Sequence, residues 1–581
     1  MRLVSLWKGD RMVESTSRPG TSVLRNAQQV LSSSLDRREL AKKFAAAATT
    51  AGVAAVAPIT FGSATALRAF AQEAKPTGGQ IIVARAGDSD TLDTAHTTAG
   101  IAFQVFNNIY DTLIAYNMDL GYEGILAESW EISEDGLEYT FTLRTGITFH
   151  DGTEFNADAV KFNFDRLMAP ETNAPAAGWI AALTSTEVVD ATTVKLILSE
   201  PFSPLLGNLC LSYFGIASPT AIEQYGDEDY GRNPVGTGPW KFREWIAGEQ
   251  ITLEANENYQ NFHSHLENKG RPYADELIFR NITEDATQVA AFETGEVTII
   301  PVPAREVERF QEDEQYQVFI PERATNIWFI EWSMEQPTAE NDQIYKGPFF
   351  DDIRVRQAVA YAINADEIIQ SVFQGLAVRN YGPIPTGHFA YNPDIEEFGY
   401  HYDPDKAKAL LDEAGWTEGG DGVREKDGVK LEPLLWTWNA GNNVNSVQVI
   451  QNQLSAVGFG VKIETMEIAT LLARQVENVS DFDLMSWGWP EPHIMKMMVE
   501  SEAALGLYKD AEYHALVDEA ARVSDQTERS ELYFQASQQI LSDVGMIPLW
   551  TVLAATGVRA DLKDFKTGPT GTAIFEDAYY E

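Results

Sequence analysis

Residues 139–167 decide the fold class, and they read YTFTLRTGITFHDGTEFNADAVKFNFDRL. The run 139–144 alternates apolar and polar side chains, which is typical of a half-buried strand. After Gly146 a short apolar piece predicts a hairpin-like turn. The run 157–167 then predicts a helix, because its apolar residues recur on one face. These residues are Val160, Phe164 and Leu167.

The same mixture of elements continues along the chain. An apolar run at 79–84, after a glycine break, predicts a buried first strand. Asp403 followed by Pro404 predicts the capped start of a helix, and Gly415 predicts its end. A short break near Asp525 separates two further helices. We therefore expect an α/β architecture of several lobes that are interleaved rather than joined by flexible linkers.

Acidic residues dominate the chain outside its first 71 residues. The net charge is −43 over 581 residues, with +6 in the first 71 and −49 in the remainder. A negative field of this size repels phosphate backbones and anionic lipids, so a nucleic-acid partner is not expected. The hydrophobic fraction of 44% and the aromatic fraction of 11% indicate a well-packed globular protein.

The first 71 residues resemble an export signal. Arg37 and Arg38 stand in a basic block before a mildly apolar, alanine-rich run at 44–57, and 69–71 matches the small-x-small cleavage rule. The arginine pair resembles a twin-arginine signal. The single cysteine is Cys210, so the leader has no cysteine for lipid attachment. We expect a periplasmic or extracellular protein with no lipid anchor.

Motifs of catalysis and of metal binding are missing from the sequence. There is no Gly-x-Ser-x-Gly elbow, no His-Glu-x-x-His, no phosphate loop ending in Gly-Lys-Ser/Thr and no Gly-x-Gly-x-x-Gly. His263 and His265 form the one close histidine pair, and no third ligand is obvious nearby. We therefore expect a solvated loop there, no catalytic residue, no metal and no cofactor.

Several blocks that occur in order along the chain together resemble the family 5 extracellular solute-binding proteins. This group includes the dipeptide- and oligopeptide-binding proteins of ABC importers. The blocks are 79–83 with 90–93, 126–130, 139–153, 158–160, 234–240, 350–358, 402–416 and 547–549. Each block alone is a capped helix, a strand or a turn, so together they indicate the fold rather than the ligand.

The resemblance implies a periplasmic binding protein-like α/β fold of type II, of the three-domain, cluster C-like kind. Two lobes would close on a hinge, and an extra domain would be added to the first. The predicted divisions are export signal and leader 1–71, domain I 78–110, 233–322 and 552–581, domain II 111–232, and domain III 323–551. The implied function is capture of a peptide or another small solute for delivery to an ABC transporter permease, by a protein that we expect to be a monomer.

The resemblance also indicates where a ligand would bind. In peptide-binding members, an Asp after a Trp-rich stretch pairs with the peptide's α-ammonium group. Trp487 and Trp489 belong to the matching stretch here, which is shorter, and Glu491 is the acid nearest the expected position. The two Trp residues, which alternate with Gly488, are candidates for a stacking wall or for core between the lobes. Glu491 is a candidate ammonium partner or a turn residue.

Three further groups complete the predicted site. They are a second aromatic wall, two threonines of the opening loop, and an arginine and a tyrosine that would bind a carboxylate. In order, these are Trp436, Trp438 and Asn439; Thr97 and Thr98; and Arg379 and Tyr381.

Other functions stay open at this point. The same fold binding an oligosaccharide or an opine is one alternative, and the paired Trp residues favour a flat-faced ligand. Nickel and haem are disfavoured because His and Met residues are not clustered. A secreted hydrolase with a dispersed active site is a second alternative, and a sensory receptor without a transporter is a third.

Overall fold

Strands and helices are mixed along the part of the chain that the structure covers. The structure is a computed structural model and describes residues 75–335, 344–345, 349–475, 479–500, 508 and 510–581. The predicted export signal, 1–71, lies outside the described residues. Within the described ranges, no helix is both long enough and apolar enough to cross a bilayer.

The first sheet is assembled from three separated segments of the chain. Its central strand, Gln80–Arg85, runs parallel to both of its neighbours, whereas the other pairs are antiparallel. In spatial order the strands are Tyr316–Phe319, Thr556–Arg559, Ile299–Pro301, Gln80–Arg85, Glu276–Asn281, Gln250–Ala255 and Trp240–Ile246.

A smaller antiparallel sheet and a helix that packs beside it contain residues 139–167. The predicted strand over 139–144 is confirmed as Glu138–Leu143, and the predicted helix over 157–167 as Ala157–Met168. The Asn156 side chain caps this helix, because its Oδ1 accepts from the Ala159 backbone N–H at 3.0 Å. The strand order is Ala127–Ile132, Glu138–Leu143, Thr193–Leu198 and Leu183–Asp190.

These two sheets share one apolar core, and we call the unit that they form the first lobe. The shared core includes Ile81 and Leu253 of the larger sheet and Phe141 and Val194 of the smaller one. Helices of the first lobe are Gly100–Phe106, Ala157–Met168, Pro204–Leu209, Pro219–Tyr230, Asp285–Thr294 and Val307–Gln311. Short strand pairs are Ile114–Tyr116 with Tyr122–Gly124, Leu562–Lys563 with Tyr579–Tyr580, and Lys566–Thr567 with Ala573–Ile574.

A six-stranded sheet organises residues 326–552, and we call the unit that it forms the second lobe. Alternate residues of its strands enter cores on opposite faces: Leu484 lies in one and Met485 in the other. The strand order is Ala377–Arg379, Met546–Val552, Asn326–Trp332, Phe482–Gly488, Leu434–Trp438 and Lys462–Met466. Short strands are Met334–Glu335, Ile344–Tyr345, Thr417–Glu418, Arg424–Lys426 and Val429–Lys430. Helices are Ile353–Ala362, Ala365–Ser371, Pro404–Glu413, Gly441–Ser455, Ile468–Gln475, Ile494–Glu500, Ala511–Arg522 and Gln526–Ser542.

The chain crosses between the lobes in two adjacent segments. It leaves the first lobe after Phe319 and enters the second at Asn326, and it returns between Val552 and Thr556. The Asn326 side chain joins the two crossings: its Oδ1 accepts from the Val552 N–H at 2.9 Å and its Nδ2 donates to the Val552 carbonyl at 3.1 Å. Both segments are therefore held together where a hinge would bend.

A glycine-containing turn at 236–238 holds a half-buried histidine in the first lobe. A Cβ at Gly236 would lie 2.1 Å from the Ile109 carbonyl oxygen, so only glycine fits this approach. His150 Nε2 lies 2.9 Å from the Gly238 carbonyl, and His150 Nδ1 is 3.4 Å from the Gly236 nitrogen. Burial lowers the pKa of His150 to about 4, which keeps the ring neutral.

Candidate functional site

Trp489 is a second-lobe residue that contacts aromatic side chains of the first lobe. It follows the strand Phe482–Gly488 and packs against the apolar cores of both lobes. Its ring centroid lies 4.0 Å from that of Trp179, at an interplanar angle of 67°. Its indole Nε1 donates to Asn208 Oδ1 at 3.1 Å. One indole is thus fixed by an aromatic and a polar contact from the opposite lobe.

The opening loop reaches the same place through Tyr213. The Tyr213 ring lies nearly parallel to Trp489, with centroids 6.1 Å apart and an angle of 11°, and its hydroxyl donates to the Thr98 carbonyl at 3.1 Å. Thr98 is exposed. Thr97 is buried, and its hydroxyl donates to Asp90 Oδ2 at 2.7 Å, so its side chain holds the loop. Tyr213 therefore connects the backbone of Thr98 to Trp489.

A cavity of about 430 Å³ adjoins Trp489 between the lobes. The first lobe contributes apolar side chains, an amide and the carboxylate of Glu200, and the second contributes aromatic, charged and imidazole groups. Lining side chains include Trp179, Phe202, Asn208, Trp489, Glu491 and His493. Burial, aided by the charge of Arg529, lowers the pKa of His493 to about 3, so this imidazole is neutral at physiological pH. The volume lies in the range of small-molecule pockets.

Glu491 lines this cavity and is paired within the second lobe. Its Oε1 accepts from Arg529, and the two side chains are 1% and 2% exposed. Burial alone would lower the pKa of Arg529, but the Glu491 carboxylate outweighs burial and keeps that pKa above its ordinary value. Glu491 Oε2 has no hydrogen-bond partner among the described residues. One carboxylate oxygen is thus paired, and the other is buried without a hydrogen-bond partner among the described residues.

Arg379 and Tyr381 do not belong to this site. The Arg379 guanidinium donates to four backbone carbonyls, those of Asn380, Pro548, Leu549 and Tyr400. It also lies over the Tyr381 ring, 4.5 Å from the centroid. The expectation that this arginine binds a ligand carboxylate is therefore corrected, because its charge is used to hold backbone segments of the second lobe together.

The second predicted aromatic wall divides into a buried and a half-buried residue. Trp436 is fully buried, donates to Glu464 at 3.0 Å and is covered by the Arg474 guanidinium, so it presents no face to a cavity. Trp438 is half-buried and packs on the same core as Trp487. Asn439, at the end of this strand, is exposed. The expectation for Trp436 as a wall is thus corrected, whereas Trp438 and Trp487 each pack on the same apolar core.

Sequence reasoning missed the first-lobe half of the site. Trp179, Phe202, Asn208 and Tyr213 contribute to it, and they follow no motif. The cluster of aromatic residues after Trp179 was the signal available, since aromatic side chains are common in ligand cavities. Their partner Trp489 is 281 residues from Asn208 in sequence, which no local pattern can reveal.

The expectation that His263 and His265 lack a third ligand is also corrected. Among the described residues, the one group of side chains arranged to hold a metal ion consists of these two histidines and Glu123. Glu123 comes from a strand 140 residues earlier in the chain. None of the three lines the cavity at Trp489.

Comparison with known proteins identifies the family to which this architecture belongs. Residues 121–499 match the profile described as bacterial extracellular solute-binding proteins, family 5 Middle. The glutathione-binding protein GsiB of Pectobacterium atrosepticum is 28% identical over 514 residues, which cover 86% of this chain and 93% of that protein.

Solved structures agree with this match. DppA from Helicobacter pylori in complex with the peptide STSA superposes with a TM-score of 0.71 at 28% identity, covering 87% of this chain and 99% of that one. NikA from Brucella suis in complex with Fe(III)-EDTA gives 0.76 at 27% identity, covering 87% and 100%. The predicted periplasmic binding protein-like fold with an extra domain is thereby confirmed. The chain belongs to the family 5 bacterial extracellular solute-binding proteins.

Proposed function

We propose that this protein captures a short peptide between its lobes and delivers it to an ABC importer. The observation that carries the proposal is the cavity of about 430 Å³, whose walls come from both lobes and meet at Trp489. Two comparisons support a peptide as the solute. GsiB is named for glutathione, a tripeptide, and the H. pylori protein is an ABC transporter-associated protein with a bound peptide.

The proposed site combines apolar walls with few polar groups. Trp179, Trp489 and Phe202 supply surface for burial. Trp438 and Trp487 are proposed as further wall residues. Glu491 Oε2, which has no hydrogen-bond partner among the described residues, would accept the ligand's ammonium group. Arg529, paired with Oε1, holds this carboxylate in its orientation. Enclosure, rather than bond chemistry, is the proposed action, so the protein is not an enzyme in this account.

Closure would follow from movement at the two crossings. We assign domain I to 78–110, 233–322 and 552–581, domain II to 111–232, and domain III to 323–551. Domains I and II form the first lobe and domain III the second. A ligand favours the closed form only through contacts that exist in that form, and Trp489 with its first-lobe partners supplies such contacts. The permease would then recognise the closed monomer.

Export by the twin-arginine-like signal, with cleavage after residue 71, completes the proposal. The paired arginines and the weakly apolar run support this route. A pulse-chase experiment in a host that lacks the twin-arginine translocase tests it. The precursor should accumulate in the cytoplasm of that host, whereas normal processing there would refute the assignment.

Calorimetric titration tests the proposed ligand. Glutathione, tripeptides and tetrapeptides would be titrated into the wild-type protein and into the W489A and Y402A variants. Tyr402 is 50% exposed in the second lobe and serves as the matched aromatic control. At least one peptide should bind wild type and Y402A alike and bind W489A much more weakly. Binding of an oligosaccharide or an opine instead, with no peptide bound, would replace the peptide assignment.

A further inference from the structure

Glu123, His263 and His265 meet in the first lobe although they are distant in sequence. Glu123 lies in the strand Tyr122–Gly124, and the histidines lie in the loop between Gln250–Ala255 and Glu276–Asn281. His263 Nδ1 is 3.3 Å and His265 Nδ1 is 3.9 Å from Glu123 Oε1. One ligand atom from each residue lies within 4.8 Å of the other two.

This spacing fits a small transition-metal ion. Zinc binds imidazole nitrogen and carboxylate oxygen at about 2.0–2.2 Å, so tetrahedral ligand atoms lie roughly 3.3–3.5 Å apart. The observed separations of 3.3 and 3.9 Å are close to this value. The imidazole rings are inclined at 60° with centroids 5.5 Å apart, so they do not stack against each other. A bound ion would draw together the three ligand atoms, which lie within 4.8 Å of one another.

Neighbouring backbone groups fix the ligands in place. The Ser264 N–H donates to both Glu123 carboxylate oxygens, at 3.3 and 3.2 Å. The Asn261 side chain accepts from the His263 N–H at 3.0 Å. Supporting hydrogen bonds of this kind hold metal ligands in a productive orientation.

His265 has the strongest unmet need for a partner. Both of its ring nitrogens are buried without a hydrogen-bond partner among the described residues. Nδ1 is too far from Glu123 Oε1 for a hydrogen bond at 3.9 Å. A buried polar atom without a partner is destabilising, and a bound metal would remove that penalty. Two lysines donate to backbone carbonyls of the histidines: Lys269 to that of His263 at 2.5 Å, and Lys566 to that of His265 at 3.5 Å. Asp577 pairs with Lys566.

A small cavity adjoins the two histidines, although Glu123 does not line it. Its volume is about 120 Å³, and it is lined by both histidines and by the buried carboxyl groups of Asp111 and Glu576. This is enough space for water. It shares no lining residue with the cavity at Trp489.

We propose that Glu123, His263 and His265 bind one Zn²⁺ ion, with water as the fourth ligand. Two imidazoles and one carboxylate select zinc over magnesium and calcium, which prefer oxygen ligands alone. The ion links the hairpin 114–124 to the loop 256–275 and so stabilises the first lobe. Binding of this ion is independent of binding of the solute.

Zinc titration tests the proposal. Protein purified without a histidine tag would be stripped with EDTA and titrated with ZnCl₂ against a chromophoric chelator. Wild type should bind one Zn²⁺ per chain. The E123Q, H263A and H265A variants should each bind at least about 100-fold more weakly, which exceeds the 10–100-fold typical of outer-shell substitutions. The matched control is H401A, which removes an exposed histidine of the second lobe and should bind as wild type does.

Thermal unfolding with and without ZnCl₂ separates binding from misfolding. Zinc should raise the melting temperature of wild type and H401A but not of E123Q, which retains the size of the side chain. X-ray absorption should show only nitrogen and oxygen neighbours at about 2.0–2.2 Å. The proposal is overturned if wild type binds no stoichiometric zinc, or if folded E123Q and H265A bind zinc as tightly as wild type.

Discussion

Breaking the Glu491–Arg529 pair should destabilise the second lobe by an amount that depends on which partner is removed. The pair is almost fully buried. Removing one member of a buried ion pair typically costs about 3–5 kcal/mol, because the other charge is left without its counter-ion. The two single substitutions E491Q and R529M preserve approximate size and leave opposite charges behind.

The contacts that remain decide the order of the two effects. In E491Q, Arg529 keeps the Ala520 carbonyl at 3.1 Å, the Tyr533 hydroxyl at 3.4 Å and the face of Phe389 at 5.1 Å. We expect a loss of about 3 kcal/mol in unfolding free energy. In R529M, the Glu491 carboxylate keeps one hydrogen bond among the described residues. The His493 N–H donates this bond at 3.3 Å. The loss should therefore approach about 5 kcal/mol.

Urea unfolding of wild type, both single variants and the double variant measures these values and the coupling between them. The double variant removes both charges, so its loss should be at least about 2 kcal/mol smaller than the sum of the single losses. D421N breaks the exposed Lys430–Asp421 pair and should cost less than about 1 kcal/mol. Additive losses, or single losses as small as that of D421N, would refute the reasoning.

The remaining predictions concern the cleft, the hinge and pH. W489F keeps an aromatic ring but leaves Asn208 Oδ1 without its donor, so solute affinity should fall about 5–30-fold in calorimetry, corresponding to about 1–2 kcal/mol; an unchanged affinity would contradict the contact. N326A leaves two backbone groups at the crossing unpaired and should lower the unfolding free energy by about 1–3 kcal/mol in urea; no change would mean that the clamp is unimportant. The folded-state pKa of His150 is about 4, below its ordinary 6.5. The contribution of His150 to the unfolding free energy is therefore fully present above pH 6.5. It should decrease by roughly 3 kcal/mol as the pH falls from 6.5 to 4. Urea midpoints measured across this range should depend less on pH in H150Q than in wild type or in the exposed-site control H401Q; equal slopes would contradict the prediction.

Elements with local signals could be predicted from the sequence. The helix Pro404–Glu413 begins as expected, because Asp403 accepts from the Lys406 N–H at 2.9 Å and Pro404 occupies the first position. The break at Asp525 is also confirmed, since this residue caps the helix Gln526–Ser542. A helix cap depends only on residues a few positions apart, so it can be predicted from the local sequence.

Candidate site residues depended on contacts that the sequence does not state. Arg379 has the residue type of a carboxylate ligand, but carbonyls of a strand about 170 residues away use its donors. The two-residue spacing of Trp436 and Trp438 places both side chains on one face of the strand. Trp436 is nevertheless fully buried and Trp438 only half-buried, because the surrounding fold covers them differently. Glu123 and Asn208 were missed because each meets its partner only in the folded chain.

Native mass spectrometry of the purified protein, followed by denaturing extraction, tests the central claim most directly. The account predicts one small solute per wild-type chain, identified after release as a short peptide, and a much smaller bound fraction in W489A than in Y402A. A solute retained equally by W489A and wild type would place binding outside the cleft. A chain that carries no solute and gains no thermal stability from glutathione or other short peptides would contradict peptide capture.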